Sequence, residues 1–398
     1  MYQTFASLLS KILALIITIL STSIAAHYCG PAKFGQITVA LTIQFVICEV
    51  VDFGHSTQNA RKVASENYSG HWEEELPYLA IKSLIAAIIF IFVVNVFLPD
   101  LHILLVGILF NIPFWLINVY YLQIAYMTGK VEEANRMLLL QSLGSLSIYV
   151  YIHSTTFTEV AFEMSILTGS IFMFSFVVFV SLKSKRRAPI EIRSQKFAVK
   201  KFLQNYRNEF AAPRIIGNLM TLDVMCINII FGNQASGLYA ASTRIRSILP
   251  LGIQTIADIS MNSALRERNF RKILMRKEFI IIFVMTLFGF ILLEIFTPFF
   301  ISTVFGPKYI GIVFLTRIFI LIALLSGILT VGRSLLIAQM LEAKVNRSYA
   351  AMFTILLPTF FVATHSYGLK GAAVSQLIFY VFITSYLWRQ VYRFGIEV

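Results

Sequence analysis

Seven cationic side chains lie inside long apolar stretches of this sequence, and five of the seven are arginines in its second half. The planar guanidinium presents a fork of donors that matches carboxylate and phosphate oxygens, so arginines at this depth could bind an anion. A cation inside a bilayer costs on the order of several kcal/mol unless it faces water or a partner, which makes each one a functional candidate. The seven are Lys11, Lys82, Arg214, Arg244, Arg246, Arg317 and Arg333.

The elements that must position these cations are membrane-spanning helices. The chain of 398 residues is 58% hydrophobic and 13% charged, whereas soluble domains are about one quarter charged. Apolar runs of about 20 residues recur along it, and this is the length that a helix needs to cross a bilayer. The runs predict an all-α polytopic membrane protein with twelve spans, at roughly 8–28, 34–53, 77–98, 101–127, 135–153, 159–182, 207–231, 236–263, 277–301, 310–339, 345–365 and 370–390.

The loop charges predict the orientation of these spans. With the N-terminus in the cytoplasm, 23 loop cations fall on the cytoplasmic side, and three, Lys33, Lys308 and Lys370, fall outside. This split follows the positive-inside rule, so we expect both termini in the cytoplasm. The net charge of +13 is then explained by topology and lipid contact, and no basic-aromatic motif indicates a nucleic-acid partner.

A basic, polar stretch divides the chain into two sets of six spans. It runs from Lys183 to Lys201, contains Pro189 and lacks a long apolar run. We therefore predict an N-terminal lobe over 1–182, a cytoplasmic linker over 183–206 and a C-terminal lobe over 207–398.

Short sequence segments that recur in both halves favour an internal duplication. Gly30-Pro-Ala-Lys-Phe-Gly35 precedes span 2, and Gly232-Asn-Gln-Ala-Ser-Gly237 precedes span 8, each in a tight outer turn. A second repeated segment, Asn135-Arg136 and Asn346-Arg347, lies at equivalent positions after spans 4 and 10. Because each half has an even number of spans, a pseudo-two-fold axis along the membrane normal would relate the lobes.

Five short motifs occur in a fixed order along the chain, namely Val51-Asp-Phe-Gly54, Gln58-Asn-Ala-Arg-Lys-Val-Ala64, Gly237-Leu-Tyr-Ala-Ala241, Phe305-Gly-Pro-Lys-Tyr309 and Tyr367-Gly-Leu-Lys-Gly-Ala-Ala373. In their order and spacing they resemble the bacterial O-antigen flippases of the Wzx type, in the polysaccharide-transporter group of the multidrug/oligosaccharidyl-lipid/polysaccharide exporter superfamily. The resemblance runs from about residue 5 to residue 390, and the chain departs from it at His55, where an apolar or aromatic residue is expected.

The resemblance implies a flippase that moves undecaprenyl-pyrophosphate-linked oligosaccharide from the cytoplasmic to the outer leaflet by alternating access. It implies a place in the bacterial inner membrane, among membrane lipids and beside a polysaccharide polymerase and a chain-length regulator. Transport would be driven by a proton or sodium gradient or by downhill flow of the cargo.

Under this interpretation the arginines line a cationic cavity for the pyrophosphate. Arg333 has no acid at a matching depth, so it is the first candidate, together with Arg244 or Arg246, while Arg214 and Arg317 complete the cationic set. The sugar chain needs polar and aromatic walls, since such side chains hydrogen-bond and stack on sugars. The candidates for this role are Asn118, Asn218, Asn228, Trp115 and Tyr239.

Three acids lie at the same predicted depth in the bilayer as an arginine of a neighbouring span, so we predict that they form ion pairs or act as coupling acids. Asp223 is level with Arg244, Glu294 with Arg317, and Asp258 with Arg214. In the first half, Lys11 and Lys82 lie about one turn from the cytoplasm, where we expect long side chains to snorkel towards water. Glu49 and Asp52 either face the interface or pair with these lysines.

Two other functions compete with the flippase. A cation-coupled exporter of drugs or small molecules on the same fold would need cavity acids and few cations, so the positive second half argues against it. A membrane glycosyltransferase or polymerase would need a large outer loop, whereas every predicted outer loop has about ten residues or fewer. No catalytic, cofactor-binding or metal-ligating motif is present in the sequence, so we predict a protein that is not an enzyme.

Overall fold

The computed structural model describes residues 2–52, 54–56, 72–97, 105–128, 130–153, 158–184, 222–245, 277–338 and 341–396, and no strand occurs in these ranges. The predicted all-helical class is therefore confirmed for the described part of the chain. The helices are α1 (Tyr2–Asp52), α2 (Trp72–Phe97), α3 (Leu105–Met127), α4 (Val131–His153), α5 (Thr158–Ser184), α6 (Asp223–Ile245), α7 (Lys277–Phe300), α8 (Val313–Ala338) and α9 (Glu342–Ile396). A π-helical turn (Ile301–Phe305) and a 3-10 helix (Pro307–Ile312) join α7 to α8.

Six helical stretches within the described residues are long and apolar enough to cross a membrane. Two of them, Ile16–Asp52 and Arg347–Arg393, contain 37 and 47 residues, which is about twice the length that one crossing needs. Each of these two contains a glycine with positive φ, Gly30 at 73° and Gly368 at 62°. Each stretch is therefore two helices that meet at a glycine.

Contacts across these glycines place residues together that a straight helix would separate. In α1, Ala25 packs with Ile37, although twelve residues of straight helix would span about 18 Å. In α9, Gly371 lies against the backbone of Ala363. The chain therefore folds back at each turn, between the pairs of spans that the sequence predicts at these positions.

The same arrangement recurs in α6. Gly232 has a φ of 79°, and the hydroxyl of Ser236 donates to Asn228 Oδ1 across it, at 3.1 Å. A positive φ is accessible to glycine without a steric penalty. The positive φ therefore explains why the first position of each repeated turn motif, Gly30 and Gly232, is a glycine.

The second glycine of each motif is required by close packing. Gly35 lies against the backbone of Asn233 and Gly237, and Gly237 lies against the carbonyl of Pro31. A side chain at either position would overlap these backbone atoms. The two turn motifs thus pack on each other, so the two segments that are similar in sequence are also in contact.

The chain divides into two compact units. Unit 1 comprises Met1–Cys29 and Gln36–Leu222, and unit 2 comprises Gly30–Gly35 and Asp223–Val398. The Gly30–Gly35 turn belongs to unit 2 because it packs on the turn of α6. The predicted linker at 183–206 lies outside the described residues from residue 185 onwards.

Each unit has a helical core that holds its polar side chains at fixed positions. In unit 1, Tyr121 and Ala125 of α3 pack with Met137 of α4 and with Met173 and Val177 of α5.

In unit 2, the indole Nε1 of Trp388 donates to the Ile328 carbonyl at 3.0 Å and joins α9 to α8. The apolar side chains of α7 are largely exposed, among them Phe288, Ile295 and Phe299, as expected for a helix that faces lipid.

The contact between the two turn motifs gives a stability prediction. We expect Gly237→Ala to lower the apparent unfolding temperature in detergent, because overpacking of this kind costs about 1–3 kcal/mol. The matched control is Gly289→Ala in α7, where an added Cβ meets nothing within 4 Å. That control should be neutral or stabilising, since alanine is the better helix former. Equal unfolding temperatures for the two variants would contradict the packing of the turns.

Candidate functional site

Arg333 lies in unit 2, five residues before the end of α8, or about 7.5 Å along the helix. Its side chain is half-buried and forms a hydrogen bond with the hydroxyl of Tyr349, while Tyr380 lies close to that phenol. Both tyrosines are buried and come from the two halves of α9. Among its described neighbours, Arg333 therefore meets a neutral phenol.

Asp223 is a buried carboxylate in unit 2. Its Oδ2 accepts hydrogen bonds from the Tyr239 hydroxyl at 3.0 Å and from Gln376 Nε2 at 2.6 Å, and Oδ1 accepts from the Val224 amide at 2.7 Å. Tyr239 and Gln376 are themselves buried. These donors link α6 to the second half of α9.

The expected pair of Glu294 and Arg317 is present between α7 and α8. Arg317 Nε lies 3.4 Å from Glu294 Oε1, and both side chains are partly exposed. This contact neutralises one of the five arginines. The pairing of Arg244 with Asp223 stays a prediction.

Four of the sequence candidates lie outside the described residues, namely Arg214, Arg246, Asn218 and Asp258. The pairing of Asp258 with Arg214 is therefore also still a prediction.

The described candidates for sugar contact hold their own units together. Asn118 Nδ2 donates to the Ser170 carbonyl at 2.9 Å and joins α3 to α5, and Trp115 meets Phe45 edge to face. Asn228 accepts from Ser236 across the α6 turn, and Tyr239 donates to Asp223. The three hydrogen bonds are polar contacts between helical segments of the kind that is common in membrane proteins. Contact with a sugar chain stays a prediction for these residues.

Lys82 corrects an expectation from the sequence. We expected this side chain to snorkel to the cytoplasm, but it is 0% exposed. Its Nζ donates to Asp52 Oδ1 at 2.9 Å and to the Asp52 carbonyl at 3.0 Å. For Asp52, the sequence predicts either a position at the membrane interface or a pair with a lysine, and the pair is the arrangement observed. An ion pair in a low-dielectric interior replaces the water that a snorkelling lysine would seek.

The sequence reasoning did not identify the residues around this pair. Glu75, Tyr78 and Lys82 are spaced at i, i+3 and i+7 on α2, so they share one helix face. That spacing is the signal that could have found them. His55 of the turn after α1 was noted only as a departure from a motif, and it is buried next to Glu75.

Comparison with known proteins identifies the fold. No family model and no curated protein matches the sequence. Solved structures match over nearly the whole chain. A multidrug resistance MATE family transporter of the MOP superfamily, in an outward-facing conformation, aligns with a TM-score of 0.67 at 12% identity, covering 99% of this chain and 96% of that one.

Two further matches have similar extent. The Vibrio cholerae MATE transporter VcmN aligns with a TM-score of 0.62 at 12% identity over 97% of this chain and 95% of the transporter. A MOP superfamily transporter from Pyrococcus furiosus, described as having a binding pocket of reverse polarity, aligns with a TM-score of 0.59 at 11% identity over 98% and 96%.

The chain therefore has the fold of MATE transporters of the MOP superfamily. That fold has twelve helices in two lobes, so the predicted fold class is confirmed. Two of these structures are transporters of the MOP superfamily, the group that the sequence motifs resemble.

The buried pair in unit 1 gives a prediction about stability. We expect Lys82→Met to destabilise the protein by about 3–5 kcal/mol, because Asp52 would keep its charge without this partner. Combining Lys82→Met with Asp52→Asn should recover most of the lost stability, measured as the apparent unfolding temperature. The exposed pair of Arg136 and Glu132 is the control, and Arg136→Gln should change stability by about 0.5 kcal/mol or less. A double variant no more stable than Lys82→Met would contradict this account of the pair.

Proposed function

We propose that this protein is a membrane transporter that works by alternating access. The similarity to MATE transporters over 97–99% of the chain is the observation that carries this proposal. Transporters of this repeat type bind cargo near the middle of the bilayer and rock one half against the other. Buried charges at bilayer depth are expected on such a pathway. The proposal places the protein in the bacterial inner membrane with both termini in the cytoplasm.

The first candidate for the cargo is a small organic cation, as in a multidrug exporter. The structures with this fold favour it, since two of them are MATE transporters and one of these is a multidrug resistance protein. In this chain, the buried carboxylate of Asp223 would supply the negative charge that a cation needs. Tyr239 and Gln376 hold the carboxylate in place. A proton or sodium gradient would drive such an exporter.

The second candidate is an undecaprenyl-pyrophosphate-linked oligosaccharide. Arg333 favours it, because this residue is half-buried and its guanidinium meets the phenol of Tyr349. Phosphate oxygens match the arginine fork, and the Wzx-like motifs support the same cargo. The Pyrococcus furiosus transporter is described as having a binding pocket of reverse polarity, so pockets of different polarity occur on this fold. A polysaccharide polymerase and a chain-length regulator would be its partners.

Two substitutions distinguish these cargoes. If the cargo is the lipid-linked oligosaccharide, Arg333→Gln should lower surface polysaccharide about 10- to 100-fold, which is the effect of losing one charge-assisted hydrogen-bonding group. Undecaprenyl-linked units should then accumulate on the cytoplasmic face. If the cargo is an organic cation, Asp223→Asn should lower the efflux of ethidium by a similar factor and Arg333→Gln should not.

The control for both measurements is Arg136→Gln, which removes an exposed cytoplasmic arginine that pairs with Glu132. It should leave both activities unchanged at equal protein levels. The proposal of a transporter would be overturned if deletion of the gene changed neither the polysaccharide, the trapped precursor nor the efflux of ethidium.

A further inference from the structure

Arg317 is an exposed cation on the apolar outer surface of unit 2. Its side chain is 47% exposed, and its Nε lies 3.4 Å from Glu294 Oε1. A charge-assisted hydrogen bond of this kind is shorter, at about 2.7–2.9 Å, so Glu294 holds the guanidinium only loosely. A cation next to hydrocarbon is unfavourable unless polar groups solvate it. An anion at the membrane surface would complete the surroundings of Arg317.

A second cation lies within about one helical turn of Arg317. The Nζ of Lys370 is 5.5 Å from the centre of the Phe314 ring, and Phe314 precedes Arg317 by three residues, so both lie on one face of α8. Lys370 is exposed and follows the reversal of α9 at Gly368 by two residues. Since the chain reverses at an end of its spans, this face of α8 lies near the lipid headgroups.

The surface around the two cations is apolar. Phe314 is itself exposed, and so are side chains of α7 near Glu294, among them Ile291, Ile295 and Phe299. Apolar side chains that a span exposes in this way pack against acyl chains. A ligand that matches this surface therefore needs both an anionic group and an apolar part. A phospholipid has both, whereas free phosphate has only the first.

The charge of the surface matches a lipid with one negative charge. Arg317 and Lys370 contribute two positive charges and Glu294 one negative charge, which leaves one net positive charge. The exposed Lys308 of the 3-10 helix that precedes α8 adds to the positive potential at this end. The guanidinium fork fits phosphate oxygens, while lysine binds them as a point charge. Basic sites between spanning helices bind anionic headgroups in this way.

We propose that Glu294, Phe314, Arg317 and Lys370 form a binding site for one anionic phospholipid. The phosphodiester lies on Arg317 and Lys370, and the acyl chains lie along the exposed side chains of α7. Arg333 is roughly 24 Å further along α8. The lipid site is thus separate from the proposed cargo residue, and the inference does not depend on which cargo the protein carries.

Native mass spectrometry of the purified full chain tests this site. The protein in a mild detergent is titrated with phosphatidylglycerol and, separately, with phosphatidylethanolamine that has the same acyl chains. The readout is the ratio of the two affinities for the first bound lipid. We expect the parent to prefer phosphatidylglycerol about tenfold, which is the effect of one additional charge-assisted contact.

Removal of either cation should abolish this preference. In Arg317→Gln and in Lys370→Gln, the affinity ratio should fall to about one. Lys370→Arg keeps the positive charge and should retain the ratio of the parent. The matched control is Arg136→Gln, which removes the arginine of another exposed pair with a glutamate and should also retain that ratio. Because a ratio is compared, a general loss of lipid binding by a damaged protein does not imitate the result.

Four outcomes would overturn the proposal. The first is a parent that binds the two lipids equally, and the second is a glutamine variant of Arg317 or Lys370 that keeps the preference of the parent. The third is an equal loss of preference in Arg136→Gln, because the net charge of the protein would then be sufficient. The fourth is displacement of phosphatidylglycerol by glycerol 3-phosphate, or by undecaprenyl phosphate at much lower concentration than phosphatidylglycerol itself. These competitors would assign the site to a soluble phosphate or to a cargo-type lipid.

Discussion

The cost of leaving a charge or an unbonded peptide group in hydrocarbon is the constraint on which the rest of this structure depends. Helices satisfy the peptide groups within each span, and glycine turns allow the chain to reverse at Gly30, Gly232 and Gly368 without a long loop. The same constraint applies to the ionised side chains. Lys82 is bound to Asp52, and Arg317 lies beside Glu294.

Arg333 and Asp223 are the two charged residues of unit 2 on which the proposed function depends. Arg333 meets a tyrosine hydroxyl, and Asp223 meets a tyrosine and a glutamine. These neutral donors and acceptors orient the charged groups of both residues. Since the two side chains carry opposite charges, unit 2 contains one residue suited to each of the two proposed cargoes.

Features that depend on local pattern could be predicted from the sequence. Hydropathy predicted the helical class, and the glycine pairs at 30–35 and 232–237 predicted tight turns. Matching depth was enough to find the contact of Glu294 with Arg317.

Features that depend on which helix faces which could not be predicted in this way. The position of Lys82 near the end of a span is equally compatible with snorkelling and with a buried partner. The packing of the end of α1 on α2 brings Asp52 to Lys82 and so decides between the two. The contact of His55 with Glu75 likewise requires the packing of two segments that are distant in sequence. The phenol beside Arg333 comes from a helix that only the tertiary fold brings into contact.

Transport by the purified protein tests the central claim most directly. The protein would be reconstituted into proteoliposomes, and translocation of a fluorescent undecaprenyl-pyrophosphate-linked saccharide and of ethidium would be followed, with and without a pH or sodium gradient. The account predicts protein-dependent translocation of one of these two cargoes, well above the rate in empty liposomes. Rates equal to those of empty liposomes for both cargoes, under every gradient, would contradict it.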